Sequence, residues 1–438
     1  GLSIACCECQ SNLHNFSWLG ENHSCSYPFN RANLSVFLLN KYPLFCVKSR
    51  WACESLFLRL KAKIIIAFVE FLIRNAGGFR PIMEQEAISP YHPVSLDLEY
   101  LAGKAFGRYR EKHRKTVSNF SPNQKTRTLN DFKNHIRYLQ ESLAINNEAI
   151  FTDYIGWARL ICETRHLPSD YLPSTLTALN EVLHQELPMD FRTRTDSYIK
   201  KGIAVLGQDP ADIPPFITNE RPLSAVAQSC LEALITGDRE KAWAGIAQTV
   251  ASGVPVRDIY LQVFQPVLWE TGRLWQIGKA GIAQEHYVTA SILLFISRLH
   301  DQIHPAGSTT GRRGKTLVAG CVSEELHDVG IRMVADFFEM DGWNTYYVGG
   351  NTPAQSLIEA VRDQHADVVA LSSTMAFHLP VVHYLVRSLR ADPGTRDVKI
   401  IVGGYPFNIV PDLWKQVGAD AYAGNADEAV IIANSFFK

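Results

Sequence analysis

No stretch of this sequence is long and apolar enough to cross a bilayer. The longest apolar run, Ile64 to Ile73, is about half of the roughly 20 residues a span requires, and it contains Glu70. The first twenty residues lack a basic start followed by an apolar run, so no secretory signal is legible and a cytoplasmic location is expected. There is no strong field of either sign, because the formal net charge is -1 over 438 residues. Residues 315–438 hold nine Lys/Arg against fifteen Asp/Glu, a poor surface for DNA. A repeated C-x-x-C pair is also missing, which leaves a zinc site at Cys6, Cys9, His23 and Cys25 without supporting spacing. Six of the nine cysteines crowd the first 53 residues. The other three, Cys162, Cys230 and Cys321, sit in apolar-periodic segments and are expected to be buried free thiols.

Residues 1–82 show no sustained period of 2 or 3.6, and they read as a poorly structured leader ahead of a start at Met83. Residues 83–127 read as a basic connector. Their run Lys104 to Lys115 has interleaved aromatics but no helix-turn-helix pattern around it, so direct DNA binding is not expected.

The texture changes at about 128. Leu129, Phe132, Ile136, Leu139 and Leu143 recur at spacings of three and four, and two similar stripes follow, giving an all-helical module over 128–208. Its isolated histidines, His135, His166 and His184, fit surface or satisfied core positions better than haem or metal ligation. A proline-rich linker, Asp209 to Pro222, leads into four helical stretches with short connections, a compact bundle over 220–301. Beyond Gly314 the pattern becomes strand–helix alternation. Apolar strands are expected at 316–322, 346–348, 368–371, 399–402 and 421–423, with amphipathic helices between them. That grammar predicts a five-stranded, doubly wound, flavodoxin-like parallel sheet over 315–438. The expected fold class is α/β plus all-α.

Ligands of such sheets bind beyond the carboxyl ends of the strands. There, after the first strand, the sequence reads Ser323-Glu-Glu-Leu-His-Asp-Val-Gly330. An exposed imidazole can ligate a transition metal through one nitrogen while an acceptor fixes the other. His327 is the candidate ligand and Glu325 the acceptor. Gly330 leaves the start of the next helix bare, so a bulky planar group could approach.

This string resembles the Asp/Glu-x-His-x-x-Gly motif of cobalamin-binding domains. In that family a protein histidine replaces the lower benzimidazole ligand of cobalt, and the displaced nucleotide tail threads into the sheet. The resemblance extends to Leu371-Ser-Ser-Thr-Met375 after strand three, where Ser372 (or its neighbour Ser373) is expected to hydrogen-bond the tail, with Thr374 beside it. It extends also to Gly403-Gly404 after strand four, where bare backbone leaves room. Asp328 completes the expected set around the cofactor. The bundle adds Trp275 followed after nine residues by Glu285-His286, similar to the cap of light-sensing transcriptional regulators of the CarH type. There the tryptophan packs over the adenosyl group, and Gly278 and Gly281 would here break the helix to bring Trp275 and His286 together. Two features depart from those regulators: Gln276 stands where a second histidine is common, and no DNA-binding module precedes the bundle.

The resemblance implies a cobalamin sensor, with adenosylcobalamin as first expectation and methylcobalamin or hydroxocobalamin as others. Such a light-responsive regulator would act through an unidentified regulatory protein partner, and a homo-oligomer is compatible with it. The competing reading is a corrinoid carrier passing a methyl group between methyltransferase partners, which uses the same His327 set but does not call for Trp275. A single-chain adenosylcobalamin-dependent mutase is excluded, because no substrate barrel of βα units is present.

Overall fold

The computed structural model describes residues 91, 94–208, 213–303 and 314–438. The expected leader at 1–82, the six N-terminal cysteines and the zinc reading built on them lie outside the described residues.

Where a basic connector was expected, the chain is helical. Helix α1 (Leu98–Lys112) is started by the Asp97 side chain, which accepts from the Tyr100 N–H, and it buries Leu101, Ala102, Ala105 and Tyr109 at helical spacing. The basic residues look extended-and-solvated only in one dimension. In the fold, Lys104 pairs with Glu186 at 2.6 Å, and Lys112 with Glu181. A short α2 (Arg114–Ser118) leads to α3 (Pro122–Ala144), opened by a reciprocal cap between Ser121 and Gln124. Helices α4 (Ala149–Thr164), α5 (Tyr171–Glu186) and α6 (Met189–Leu206) complete the module. His135 is buried, with Tyr154 Oη 2.9 Å from Nδ1 and Thr175 Oγ1 3.4 Å from Nε2. Both ring nitrogens are thus engaged within the core, as a structural histidine requires.

The module buries one carboxyl that gives a pH signature. Glu141 accepts from the Tyr91 hydroxyl at 2.7 Å, and burial pushes its pKa up to about 7 despite that bond and one from Gln140. Below the ordinary value both folded and unfolded chains hold the proton. Between about 4.5 and 7 only the folded chain does, so stability falls as pH rises and the loss is complete above 7. Glu141→Gln should remove a decline of roughly 3 kcal/mol. Urea midpoints at pH 5 and pH 8 check this; an undiminished decline in the variant would assign it elsewhere.

The bundle comprises α7 (Ser224–Ile235), α8 (Arg239–Ala251) and α9 (Val256–Ile259), which runs through a π-helical turn (Tyr260–Phe264) into α10 (Gln265–Gln276), then α11 (Ile282–Ile303). Gly278 has φ +71°, and the helix breaks between Gln276 and Ile282, where the two glycines suggested a turn.

The C-terminal domain is the expected doubly wound sheet. Its elements are β1 (Thr316–Cys321), α12 (Val329–Met340), β2 (Asn344–Gly349), α13 (Ala354–Asp363), β3 (Val368–Ser372), a 3-10 turn (Ala376–His378), α14 (Leu379–Ala391), β4 (Lys399–Gly403), α15 (Tyr405–Ile409), α16 (Leu413–Val417), β5 (Ala421–Tyr422) and α17 (Ala426–Ser435). All strand pairs are parallel, in the order β2-β1-β3-β4-β5. The central strands β1, β3 and β4 are apolar and buried over most of their length because both faces are covered, whereas the edge strand β2, Asn-Thr-Tyr-Tyr-Val-Gly, is partly exposed. Leu317, Ala319, Ala370 and Ile401 join α12, α17 and the bundle in one core. Val318, Val369, Leu371 and Val402 join α13, α14 and the N-terminal module in the other. The period of two along each strand therefore sorts the chain's two all-helical parts onto opposite faces.

Polar contacts tie the bundle to the sheet domain. Arg257 pairs with Asp427, and the buried Tyr260 hydroxyl donates to Asp336 at 2.9 Å. Tyr260→Phe should cost about 1–3 kcal/mol, because the buried Asp336 loses a donor without gaining water. A change in unfolding midpoint below 0.3 kcal/mol equivalent would show that Asp336 is satisfied without it. The three described cysteines are free thiols, and burial pushes those of Cys162 and Cys230 up to about 12.

Candidate functional site

The order of the strands reverses between β1 and β3, and the segments after these two strands meet. Glu325 links them. It is fully buried, its Oε1 paired with the His327 ring Nδ1 and accepting the His327 backbone N–H at 3.1 Å. Its Oε2 accepts the backbone N–H groups of Thr374 (2.7 Å) and Met375 (3.1 Å) and lies 3.2 Å from His378 Nδ1. Burial alone would raise this carboxyl's pKa, but hydrogen bonds and charge from His327 and His378 outweigh it and hold the group well below the usual carboxylate range.

The loop is braced from β2 as well. Glu324, at φ +67°, donates its N–H to the Asn351 side chain, and the Asn351 N–H returns to the Glu325 carbonyl at 2.8 Å. His327 is thereby held with Nδ1 committed to Glu325, so a metal would be taken at Nε2. A Cβ added at Gly330 would meet nothing within 4 Å. The donor chemistry and this open surface on the first turn of α12 both fit a planar metal macrocycle beside His327.

The expected residues do not form a single cluster. Glu325, His327 and the Thr374 backbone come together directly. Ser372 stands in register with Cys321 and Gly403 at the sheet's carboxyl edge, whereas Ser373 is fully buried with its hydroxyl on the Met375 carbonyl. Ser372 is thus the serine at the strand end. Gly404 has φ +108° and lies hard against the Ser373 backbone. Asp328 is tied elsewhere, accepting from the Tyr347 hydroxyl at 3.0 Å. Trp275 occupies the last turn of α10, while Glu285 and His286 in the first turn of α11 pair with each other at 2.8 Å. The residue that sequence reasoning missed is His378. Its only sequence signal is a histidine six positions beyond Ser372, which becomes informative once Glu325 is known to have a second oxygen to satisfy.

B12 binding domain families match residues 226–299 and 315–433, the bundle and the sheet domain in that order. Dimethylamine corrinoid protein 3 of Methanosarcina mazei is 30% identical over 163 residues, which span 37% of this chain and 94% of that protein. The chain belongs to the cobalamin-binding corrinoid proteins. Dimethylamine corrinoid protein 1 of Methanosarcina acetivorans is 28% identical over 162 residues, 37% of this corrinoid protein and 74% of that one. A solved structure of the Methanosarcina barkeri monomethylamine corrinoid protein covers 49% of this chain and 100% of its own, at TM-score 0.43 and 18% identity. The cobalamin-binding expectation is thus met. The relatives are corrinoid proteins, which does not support the photoreceptor and transcriptional-regulator readings. Among the described residues no helix is long and apolar enough to cross a membrane.

Proposed function

We propose that this chain is a corrinoid carrier, holding cobalamin through His327 and presenting its upper face to methyltransferase partners. When bound, the corrinoid would supply cobalt as the atom that carries the methyl group. The protein's own part is narrower. Glu325 fixes the tautomer and orientation of His327, the Thr374 and Met375 backbone anchors Glu325, and Ser372 with Gly403 borders the channel for the nucleotide tail. Methylcobalamin is then the working form and adenosylcobalamin secondary. The buried carboxylate joining the loops after β1 and β3, with His327 on its outer side, supports cobalamin binding in either reading. The corrinoid relatives, named for dimethylamine, are what favour the carrier.

Trp275 and the Glu285–His286 pair keep a second reading in view, a light-responsive sensor. One experiment addresses both. The chain loaded with methylcobalamin and offered corrinoid methyltransferases with a methyl acceptor should lose its cobalt-bound methyl group in the dark, read as a change in visible absorbance. A methyl group retained in the dark, together with loss of the adenosyl group from adenosylcobalamin-loaded protein under green light, would favour the sensor.

A further inference from the structure

Helix α4 of the N-terminal module carries a stripe that reaches from the sheet domain to the bundle. Asp153, Trp157, Leu160 and Thr164 follow one another at spacings of four, three and four, which places them on one helix face. Both ends of the stripe are anchored, to different domains. The Tyr405 hydroxyl donates to Asp153 at 2.8 Å, and the Thr164 hydroxyl donates to the Gln276 carbonyl at 2.9 Å. Tyr405 directly follows Gly404, and Gln276 directly follows Trp275. The turn beyond Trp275 is also pressed against α4, for a Cβ at Gly278 would lie 2.6 Å from Thr164 Cγ2. The stripe therefore bridges, over about 16 Å of helix, from Tyr405 beside Gly404 to the turn of the bundle beyond Trp275.

Trp157 and Leu160 lie between those anchors, and both are only half-buried. The Trp157 indole N–H is shielded from solvent yet meets no hydrogen-bond acceptor among the described residues. A shielded donor without an acceptor is uncommon and leaves its acceptor to be supplied from outside the chain. The rim of a corrin ring bears amide side chains whose carbonyls are acceptors, and its methyl groups suit a half-buried tryptophan and leucine.

We propose that Trp157 and Leu160 form a third wall of the corrinoid site, with the Trp157 indole donating to an amide carbonyl on the corrin rim. This rests on the cobalamin-carrying reading of the same site. The bundle and sheet domain supply two walls, and α4 closes the side between Tyr405 and Gln276. The module would then be part of the binding site rather than an independent appendage.

The test uses the full chain and hydroxocobalamin. Trp157→Ala should release bound corrinoid about tenfold faster than wild type, equivalent to 1.4 kcal/mol, and Trp157→Phe, which keeps the ring but not the donor, should fall between. Release at the wild-type rate from either variant, with an unchanged melting temperature, overturns the wall. Because Trp157→Ala could disturb folding, a second measurement uses the unmutated chain. Amide exchange in residues 149–164 should slow on loading with hydroxocobalamin; protection confined to the sheet domain and bundle overturns the proposal. His327→Ala separates the two levels, since it should change the cobalt spectrum while leaving α4 protected wherever corrinoid still binds. Wild-type protein that failed to take up hydroxocobalamin would remove the site itself and this wall with it.

Discussion

Replacing His327 with alanine should abolish the lower protein ligand and shift the visible spectrum of bound hydroxocobalamin toward that of a water-ligated form. Retention should fall by at least the 10–100-fold typical of losing a mere supporting residue of a metal ligand. The same change should leave the cofactor-free fold within about 1 kcal/mol of wild type, because the ring is a fifth exposed and Glu325 keeps the Thr374, Met375 and His378 donors. Glu325→Ala should behave differently. It takes the acceptor from three backbone N–H groups (His327, Thr374 and Met375) and from the Nδ1 atoms of His327 and His378. Each buried loss is worth about 1–3 kcal/mol, so urea unfolding of the cofactor-free chain should report a loss of several kcal/mol. If the two variants lost the same stability, Glu325 would not be the anchor of the two loops, and if His327→Ala kept the wild-type cobalt spectrum, His327 would not be the ligand.

That pair also shows what the sequence made legible. The strand–helix alternation placed the sheet correctly, because strands buried on both faces must be apolar at every position and their helices must be amphipathic. His327 and Glu325 were readable for a similar reason: a ligand and its orienting acceptor sit within one loop. His378 was not, since it contributes through a carboxylate 53 residues away. Helix α1 was misread because its basic residues find their acidic partners, Glu181 and Glu186, on α5, about 70 to 80 residues further along the chain. Its apolar face, built partly from Ala102 and Ala105, is shallow in side-chain volume and easily hidden under charge. The bridging role of α4 was out of reach for the same cause. Its anchors lie 112 and 252 residues distant, and nothing local marks Asp153 or Thr164 as contact residues.

Gly404 and Gly330, both expected to make room for the cofactor, should separate sharply on substitution with alanine. Gly404 sits at φ +108°, a conformation that L side chains rarely adopt, and its new Cβ would overlap the Ser373 carbonyl. Neither the strand end after β3 nor the Gly404 backbone can move far, because Ser373 donates its N–H to Gly403 at 3.1 Å and Thr374 anchors Glu325. Strain in such a region costs about 1–3 kcal/mol before the overlap is counted. Gly404→Ala should therefore destabilise the chain by about 3 kcal/mol or more, with or without corrinoid. Gly330, by contrast, lies exposed in the first turn of α12, where an added Cβ meets nothing. Alanine there favours the helix by up to about 1 kcal/mol, so the cofactor-free chain should gain slightly. Its cost should appear only on loading, as weaker hydroxocobalamin retention, since the methyl group would stand where the macrocycle passes His327. Retention unchanged in Gly330→Ala would move the corrin away from α12, whereas a Gly404→Ala chain of wild-type stability would mean that the strand ends yield and that the channel beside them is not rigid.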